Sequence, residues 1–291
     1  MMDDVKSKYI IEKIFMNIKT KRKLNIIKYN KKILVKLNIN KEIFENCFKI
    51  NEFNKKYKTN IEDIDIYELN LKNKCIDNEG LQLLSKIEFK ELKILNLCGN
   101  KISDINVLEK ANFKDLKTID LSYNKISDIN ILEKVNFKEL TKLNLEENNI
   151  LNIDVLEKVD FKQLKVLKLC SNEIFNLDVL EKVNFKHLTS LNLRDNKIAD
   201  INVLDKVDFK ELKMLDLSFN SISNINVLEK VNFKQLKILL LSDNRISDIS
   251  VLEKIDFKNL STLNLSNNDL SENKNSSIIK RLKSKIRILY V

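Results

Sequence analysis

FKELKILNLCGNKISDINVLEKAN (89–112) is the first of eight consecutive segments of 24 residues that share almost the same sequence. Each segment opens on a phenylalanine, and the eight phenylalanines are Phe89, Phe113, Phe137, Phe161, Phe185, Phe209, Phe233 and Phe257. The segments run to about residue 270. A fixed period of this length, with apolar residues at the spacing L-x-x-L-x-L-x-x-N, predicts a solenoid in which every unit forms one strand and one return segment.

The strand of the second unit can be predicted from the alternation of its residues. Ile119 and Leu121 alternate with Thr118, Asp120 and Ser122. Side chains of a strand point to opposite faces in turn. We therefore expect Ile119 and Leu121 to point into the solenoid and the three polar residues to point outward.

An asparagine ends this strand in all eight units. A turn inside a coil leaves main-chain groups away from water, and one unpaired group costs roughly 1–3 kcal/mol. An amide side chain both donates and accepts, so it can pair with such groups. We interpret these asparagines as structural residues and not as a binding site. They are Asn100, Asn124, Asn148, Asn172, Asn196, Asn220, Asn244 and Asn268.

The return segment carries a capping pattern in seven units. A residue that can cap a helix stands three positions before an acidic residue, as in Asn106 and Glu109. This is the spacing of a capping box. It predicts a short helical or 3₁₀ turn on the outer face of each of these units, with Asn106 and its equivalents as the cap.

These residues and spacings resemble the leucine-rich repeat superfamily over residues 89–270. The N-x-I-x-x-I stretch, as in Asn124, Ile126 and Ile129, is similar to a short subclass found in intracellular regulators and bacterial internalin-like proteins. The Phe-x-x-Leu opening is similar to a longer 24-residue subclass. The resemblance implies an α/β fold, a right-handed curved solenoid with a parallel sheet on its concave side and short helical turns on its convex side. It also implies a protein partner bound on the concave sheet.

The composition favours a binding protein over an enzyme. The two glycines, Gly80 and Gly99, belong to no phosphate-binding loop or dinucleotide fingerprint. The single histidine, His187, lies at a position where most other units carry Glu, Gln or Asp, and no serine-hydrolase elbow or metalloprotease motif accompanies it. We therefore expect no catalytic residue and no cofactor.

The cysteines indicate a reducing compartment. Cys98 and Cys170 occupy the same strand position three units apart, roughly 14 Å at the strand spacing of a sheet, so they are too far apart for a disulfide. Neither these nor Cys47 and Cys75 form a C-x-x-C pair, so we expect no metal site. The first ten residues do not resemble a signal peptide, and no apolar run is long enough to span a membrane. We expect an intracellular protein, cytoplasmic or nuclear.

The chain divides into a helical head and a repeat domain. Residues 1–60 contain 16 basic and 6 acidic residues, which accounts for the formal net charge of +10 of the whole chain. Residues 61–88 form a degenerate first unit, residues 89–270 the eight regular units, and residues 271–291 a C-terminal cap. Such caps are expected because the end units of a stack expose apolar edges.

Three hypotheses remain open for the head. It can be a helical cap with a solvated lysine-rich face. Alternatively, residues 7–40 resemble an F-box-like module, which implies a substrate receptor of a cullin-type ubiquitin ligase that docks a ligase adaptor at residues 7–37. The residues that carry this resemblance are Ile11, Ile14, Phe15, Ile18, Leu24 and Ile27. The third hypothesis is binding of nucleic acid or an anionic membrane through KTKRK (19–23); a basic stretch alone indicates this only weakly, and we expect neither partner.

The outward strand positions differ freely among the units, and most of them are polar. The apolar exceptions in two neighbouring units are Met214, Phe219, Ile238 and Leu240, which we call the apolar patch. Exposed apolar clusters usually mark a contact surface, so we predict that this patch binds a protein partner. Tyr123, beside Glu146 and Glu147, is a second candidate anchor. The alternative is a small apolar area without a partner. The oligomeric state stays open, with a monomer expected.

Overall fold

The computed structural model of the chain describes residues 41–255 and 258–291. In this part, ten short strands form one parallel sheet in which the strand order follows the sequence. They are Glu68–Asn70 (β1), Ile94–Asn96 (β2), Thr118–Asp120 (β3), Lys142–Asn144 (β4), Val166–Lys168 (β5), Ser190–Asn192 (β6), Met214–Asp216 (β7), Ile238–Leu240 (β8), Thr262–Asn264 (β9) and Ile288–Tyr290 (β10). The predicted solenoid with a concave parallel sheet is thereby confirmed. The helices expected within residues 7–37, and Phe257, lie outside the described residues.

The register of the sheet follows the 24-residue period. Thr118 of β3 pairs with Ile94 of β2, and Ile119 pairs with Leu95. Because inward positions pair only with inward positions, the apolar residues of successive coils stack into one core. In the second unit, Phe113, Leu116, Ile119, Leu121 and Ile126 are all buried. The structure thus places inward the side chains that the alternation predicted.

In residues 41–255 and 258–291, seven 3₁₀ helices lie on the convex side, one in each of the first seven regular units. They span Asn106–Lys110, Asn130–Glu133, Asp154–Glu157, Asp178–Glu181, Asn202–Asp205, Asn226–Glu229 and Ser250–Glu253. The predicted turns are therefore confirmed, but the predicted capping box is wrong. Asn106 is the first residue inside its helix, and Asp104 Oδ1 accepts the hydrogen bond from the Asn106 amide at 2.8 Å. An acceptor two positions before the helix makes this bond in each of the seven units.

The glutamates of the expected capping boxes point instead towards the next coil. Glu157 Oε2 lies 3.2 Å from Lys182 Nζ, and Glu181 Oε2 lies 3.0 Å from Lys206 Nζ. The Glu181 carboxylate raises the pKa of Lys206 above its usual value by its hydrogen bond and its charge. These pairs are exposed, so each adds little to stability, but together they connect successive coils along the convex side.

The asparagines connect each coil to the one before it. Asn172 Nδ2 donates to the carbonyl of Leu145 at 3.0 Å in the preceding coil and to that of Leu169 at 3.1 Å in its own. Its Oδ1 accepts from the amide of Ile150 at 3.0 Å. The other seven asparagines make the equivalent three bonds. One amide group therefore satisfies main-chain groups in two coils.

We predict that Asn172→Leu lowers the free energy of unfolding by about 1–3 kcal/mol, because leucine leaves the Ile150 amide without a partner and removes one of the two donors to the Leu145 carbonyl. The measurement is urea denaturation followed by circular dichroism. Lys165→Ala is the control, since its side chain is exposed and the change should have almost no effect. Equal midpoints for the two variants would contradict the structural role of the asparagines.

Helices cover both ends of the stack. Helix α1 (Lys41–Tyr57) packs against α2 (Asn78–Ser85) of the first coil, with Phe53 and Tyr57 in the continuous core. The Tyr57 hydroxyl donates to Asp77 Oδ1 at 2.7 Å, and the ring lies so close to Gly80 that any side chain there would collide with it. Helix α3 (Glu272–Lys285) closes the other end. In the described part of the chain, no helix combines the length and apolar character of a membrane-spanning segment.

Helix α1 provides a test of its contribution to stability. Phe53 is fully buried against the first coil, whereas Phe48 on the same helix is 59% exposed. Phe53→Ala should lower the free energy of unfolding by about 3–5 kcal/mol because it opens a cavity in the core. Phe48→Ala, a change of the same size, should lower it by well under 1 kcal/mol. If thermal denaturation shows the same small shift for both variants, α1 does not act as a cap.

Candidate partner-binding surface

The apolar patch lies on the concave face of two neighbouring strands. Met214 of β7 pairs in register with Ile238 of β8, and Leu240 occupies the position two residues further along β8. Met214, Ile238 and Leu240 are half-buried, and Phe219, in the turn that follows β7, is 41% exposed. Met214, Ile238 and Leu240 thus share the concave face, and Phe219 lies in the turn at its margin. Their role in binding stays a prediction.

Two contacts hold the patch in place. The Arg194 guanidinium lies over the Phe219 ring, 4.0 Å from its centroid. The Ser190 hydroxyl lies 3.6 Å from the Met214 sulfur. A cation over an aromatic ring at an exposed site contributes about 0.5–1 kcal/mol. The contact favours one position of the Phe219 ring, and a ring that is already in place costs less entropy on binding.

Phe219 and Tyr123 occupy a left-handed backbone position. The residue before the structural asparagine has a positive φ in every regular unit, +69° at Gly99, +54° at Tyr123 and +55° at Phe219. Glycine and asparagine adopt this conformation readily, as Gly99 and Asn267 do here, but a bulky side chain does so only at a cost. Two aromatic residues thus stand where the backbone disfavours them, which is typical of functional positions.

We expect Tyr123→Asn to leave the free energy of unfolding unchanged or to raise it by about 1 kcal/mol, because asparagine tolerates the left-handed conformation. The reverse change, Asn267→Tyr, is made at the same position of another coil and should lower it by a similar amount. Denaturant titrations of both variants check the pair. A clear loss of stability in Tyr123→Asn would show that the ring contributes to folding, and would remove the argument that it is kept for binding.

Tyr123 lies in an acidic environment on the concave face. The carboxylates of Glu146 and Glu147 raise the pKa of its phenol. Burial, and then the charge of Glu146, raises the pKa of the neighbouring Cys170 thiol to about 12. At neutral pH, Cys170 is therefore protonated and unreactive. Tyr123 is 52% exposed, so its side chain is open to a partner beside two negative charges.

Two exposed apolar residues were not predicted from the sequence. Leu151 is 53% exposed and Phe175 is 56% exposed, at equivalent positions of adjacent coils on the edge of the solenoid. The other regular units with a described 3₁₀ helix carry serine or alanine there: Ser103, Ser127, Ala199, Ser223 and Ser247. The signal that could have found the pair is the same one that found the apolar patch, an apolar exception at a position that is small or polar in the other units.

The remaining candidate groups form no reactive site. His187 Nδ1 lies 3.2 Å from Glu211 Oε1, and both side chains are about half exposed. Among the described residues, no group of three or more His, Cys, Asp or Glu side chains has the arrangement of a metal site. Cys75 is exposed, and Cys98 and Cys170 are buried with free thiols.

Comparison with known proteins agrees with this architecture. A family model of leucine-rich repeats, described as two copies, matches residues 90–134. Internalin C2 from Listeria monocytogenes is 25% identical, with a TM-score of 0.50, over 65% of this chain and 91% of that chain. A leucine-rich repeat protein of Leptospira interrogans is 24% identical, with a TM-score of 0.55, over 76% of this chain and 59% of that chain. No curated protein matches the sequence significantly.

A plant peptide hormone receptor, RGFR1 in complex with RGF2, shares the fold at 16% identity, with a TM-score of 0.51, over 70% of this chain and 36% of that chain. Together with the ten-stranded parallel sheet, these matches show that the chain has the leucine-rich repeat fold of these proteins. Such proteins are generally protein-interaction modules. The matches concern the repeats, and the F-box-like resemblance of residues 7–40 stays a prediction.

Proposed function

We propose that this chain is a non-enzymatic interaction protein that binds one protein partner on its concave face, at the apolar patch. The observation that carries the proposal is the patch itself. Four apolar side chains from two adjacent coils share one surface of a face that is otherwise mostly polar. Water around such side chains is released when a partner covers them, and aromatic anchors such as Phe219 dominate binding energies.

The fold supports this proposal. The concave face is a wide, rigid surface of ten strands whose backbone hydrogen bonds are already made. Because the backbone is already ordered, binding to such a surface has to order side chains only. The plant receptor that shares this fold is bound to RGF2 in its structure, which shows a polypeptide ligand on that protein. We extend the class of ligand, a polypeptide, to this chain as part of the proposal.

We further propose that the protein works in a reducing compartment inside a cell. The free thiols of Cys75, Cys98 and Cys170 support this, because a chain that matures in an oxidising compartment usually pairs its cysteines. The adaptor-docking hypothesis concerns residues 7–37, outside the described residues, and it stays a prediction.

The test compares the wild type with a variant in which Met214, Phe219, Ile238 and Leu240 are replaced by Ser, Ser, Thr and Thr. These side chains lie at the surface, so the free energy of unfolding should change little. Affinity for the partner should fall roughly a hundredfold or more, because several anchors are lost together. The partner is recovered by affinity purification with the wild type, and its dissociation constant is then measured with purified proteins by calorimetry.

A matched control changes the same chemistry elsewhere on the concave face. Ile94→Thr with Val166→Thr removes two half-buried apolar side chains from other strands and should leave the affinity unchanged. A patch variant that binds at full affinity would exclude the patch as the site. A second purification with residues 1–40 deleted separates the hypotheses for the head: ligase subunits that disappear with this deletion would support adaptor docking.

A further inference from the structure

One carboxylate beneath the apolar patch has no charge partner. Asp216 ends β7 and faces the concave side, yet only 4% of it is exposed. It lies in register between Asn192 of β6 and Leu240 of β8. Among the described residues, no lysine or arginine nitrogen lies within 4 Å of its carboxylate. A buried carboxylate without a cation is costly, so its presence needs an explanation.

The turn after the strand does not require a charge at this position. Asp216 Oδ1 accepts a hydrogen bond from the Ser218 amide at 3.0 Å. In four other regular coils an asparagine makes the same bond to the residue two positions later: Asn96 at 2.9 Å, Asn144 at 3.1 Å, Asn192 at 3.0 Å and Asn264 at 3.0 Å. An amide oxygen is therefore sufficient for the fold, and the negative charge of Asp216 is additional.

A hydroxyl group close to Asp216 in the sequence also lacks a hydrogen bond. The Ser218 hydroxyl is fully buried and has no hydrogen-bond partner. In the second unit the equivalent Ser122 hydroxyl donates to Asp120 Oδ1 at 2.5 Å, and in the eighth the Ser266 hydroxyl donates to Asn264 Oδ1 at 2.7 Å. Asp216 and Ser218 thus form a buried polar pair that is incompletely satisfied. The pair lies between Met214 and Phe219 of the apolar patch in the sequence, at the end of β7 and in the turn that follows.

The charges around the patch are of both signs, because exposed Lys213 and Lys237 directly precede Met214 and Ile238. Asp195 and Asp243 occupy the left-handed positions of the two coils next to Phe219. With Asp216 they make three carboxylates. The Arg194 guanidinium lies over the Phe219 ring. The group that favours a positive charge from outside is therefore Asp216 itself, a buried carboxylate without a cation.

We propose that this surface binds a lysine or arginine side chain of the partner, with the cationic group on Asp216 and the aliphatic stem against Leu240 and Met214. The proposal rests on the proposed function and names the chemistry that the same site selects. Long cationic side chains have an apolar stem and a charged end, which suits an apolar wall above a carboxylate. The partner segment is then basic with apolar neighbours.

A phage-displayed library of random peptides, selected on the immobilised full-length chain, identifies this chemistry even while the natural partner is unidentified. The enriched peptides should combine Lys or Arg with large apolar residues. The affinity of the most enriched synthetic peptide is then measured for the wild type, Asp216→Asn and Asp120→Asn. Asp216→Asn keeps the turn bond, as Asn192 does, and should weaken binding by roughly ten- to hundredfold. Asp120→Asn, the same change at the same position of another coil, should have less than about a twofold effect.

A double-mutant cycle isolates the contact. Replacement of the basic residue of the peptide by norleucine or citrulline should weaken binding to the wild type but should hardly change binding to Asp216→Asn. Denaturation confirms that both variants are as stable as the wild type. Enriched peptides without a basic residue, equal effects of the two Asp→Asn changes, or a selection that enriches nothing would overturn the proposal. Peptides that lose affinity with Phe219→Ser but not with Asp216→Asn leave the proposed function in place, whereas peptides insensitive to both would contradict it as well.

Discussion

The hydrogen bonds of the asparagine amide that ends each strand determine how one coil sits on the next. The amide of Asn172 contacts main-chain groups of two coils, and the same geometry recurs in all eight units. Because the three bonds fix both the turn and the distance to the preceding coil, the strands align in register without any long-range information. The parallel sheet, the apolar core and the concave face all follow from this repeated local contact.

The same turn also creates the positions that are available for binding. To direct its amide into the coil, the asparagine is preceded by a residue with a left-handed backbone, whose side chain then points outward at the margin of the concave face. No core contact depends on that side chain. It is free to be Gly99, Tyr123 or Phe219, at the cost of some backbone strain when it is bulky. In each regular unit, a variable surface residue is thus followed directly by the constant structural asparagine.

Much of the fold could be predicted from the sequence because every unit repeats the same constraints. The period located the strands, the structural asparagines and the convex turns, since an error in one unit would conflict with seven others. The caps of the 3₁₀ helices were placed wrongly: in a helix of one turn, spacing alone does not distinguish Asn106 as the cap from Asn106 as the first helical residue, and the true acceptor is Asp104. The ion pair of Glu157 with Lys182 of the next coil could not be predicted either, because it depends on how the coils stack.

The candidate site could be predicted only in part, because burial on the concave face depends on neighbouring strands. Met214 and Ile238 could be identified from the sequence because they are themselves apolar. The burial of Asp216 could not, because it arises from Leu240 and Asn192 on the strands at either side.

Side chains that are alike in sequence thus differ in environment. Asp120 and Asp216 occupy the same position of their units, but the serine hydroxyl two residues later donates to Asp120 and makes no hydrogen bond beside Asp216. The neighbour of Asp216 on β8 is Leu240, which offers no donor, whereas Asp120 has an asparagine on both neighbouring strands. Asn192 and Leu240, each 24 positions away in the sequence, thus give Asp216 neighbours that differ from those of Asp120.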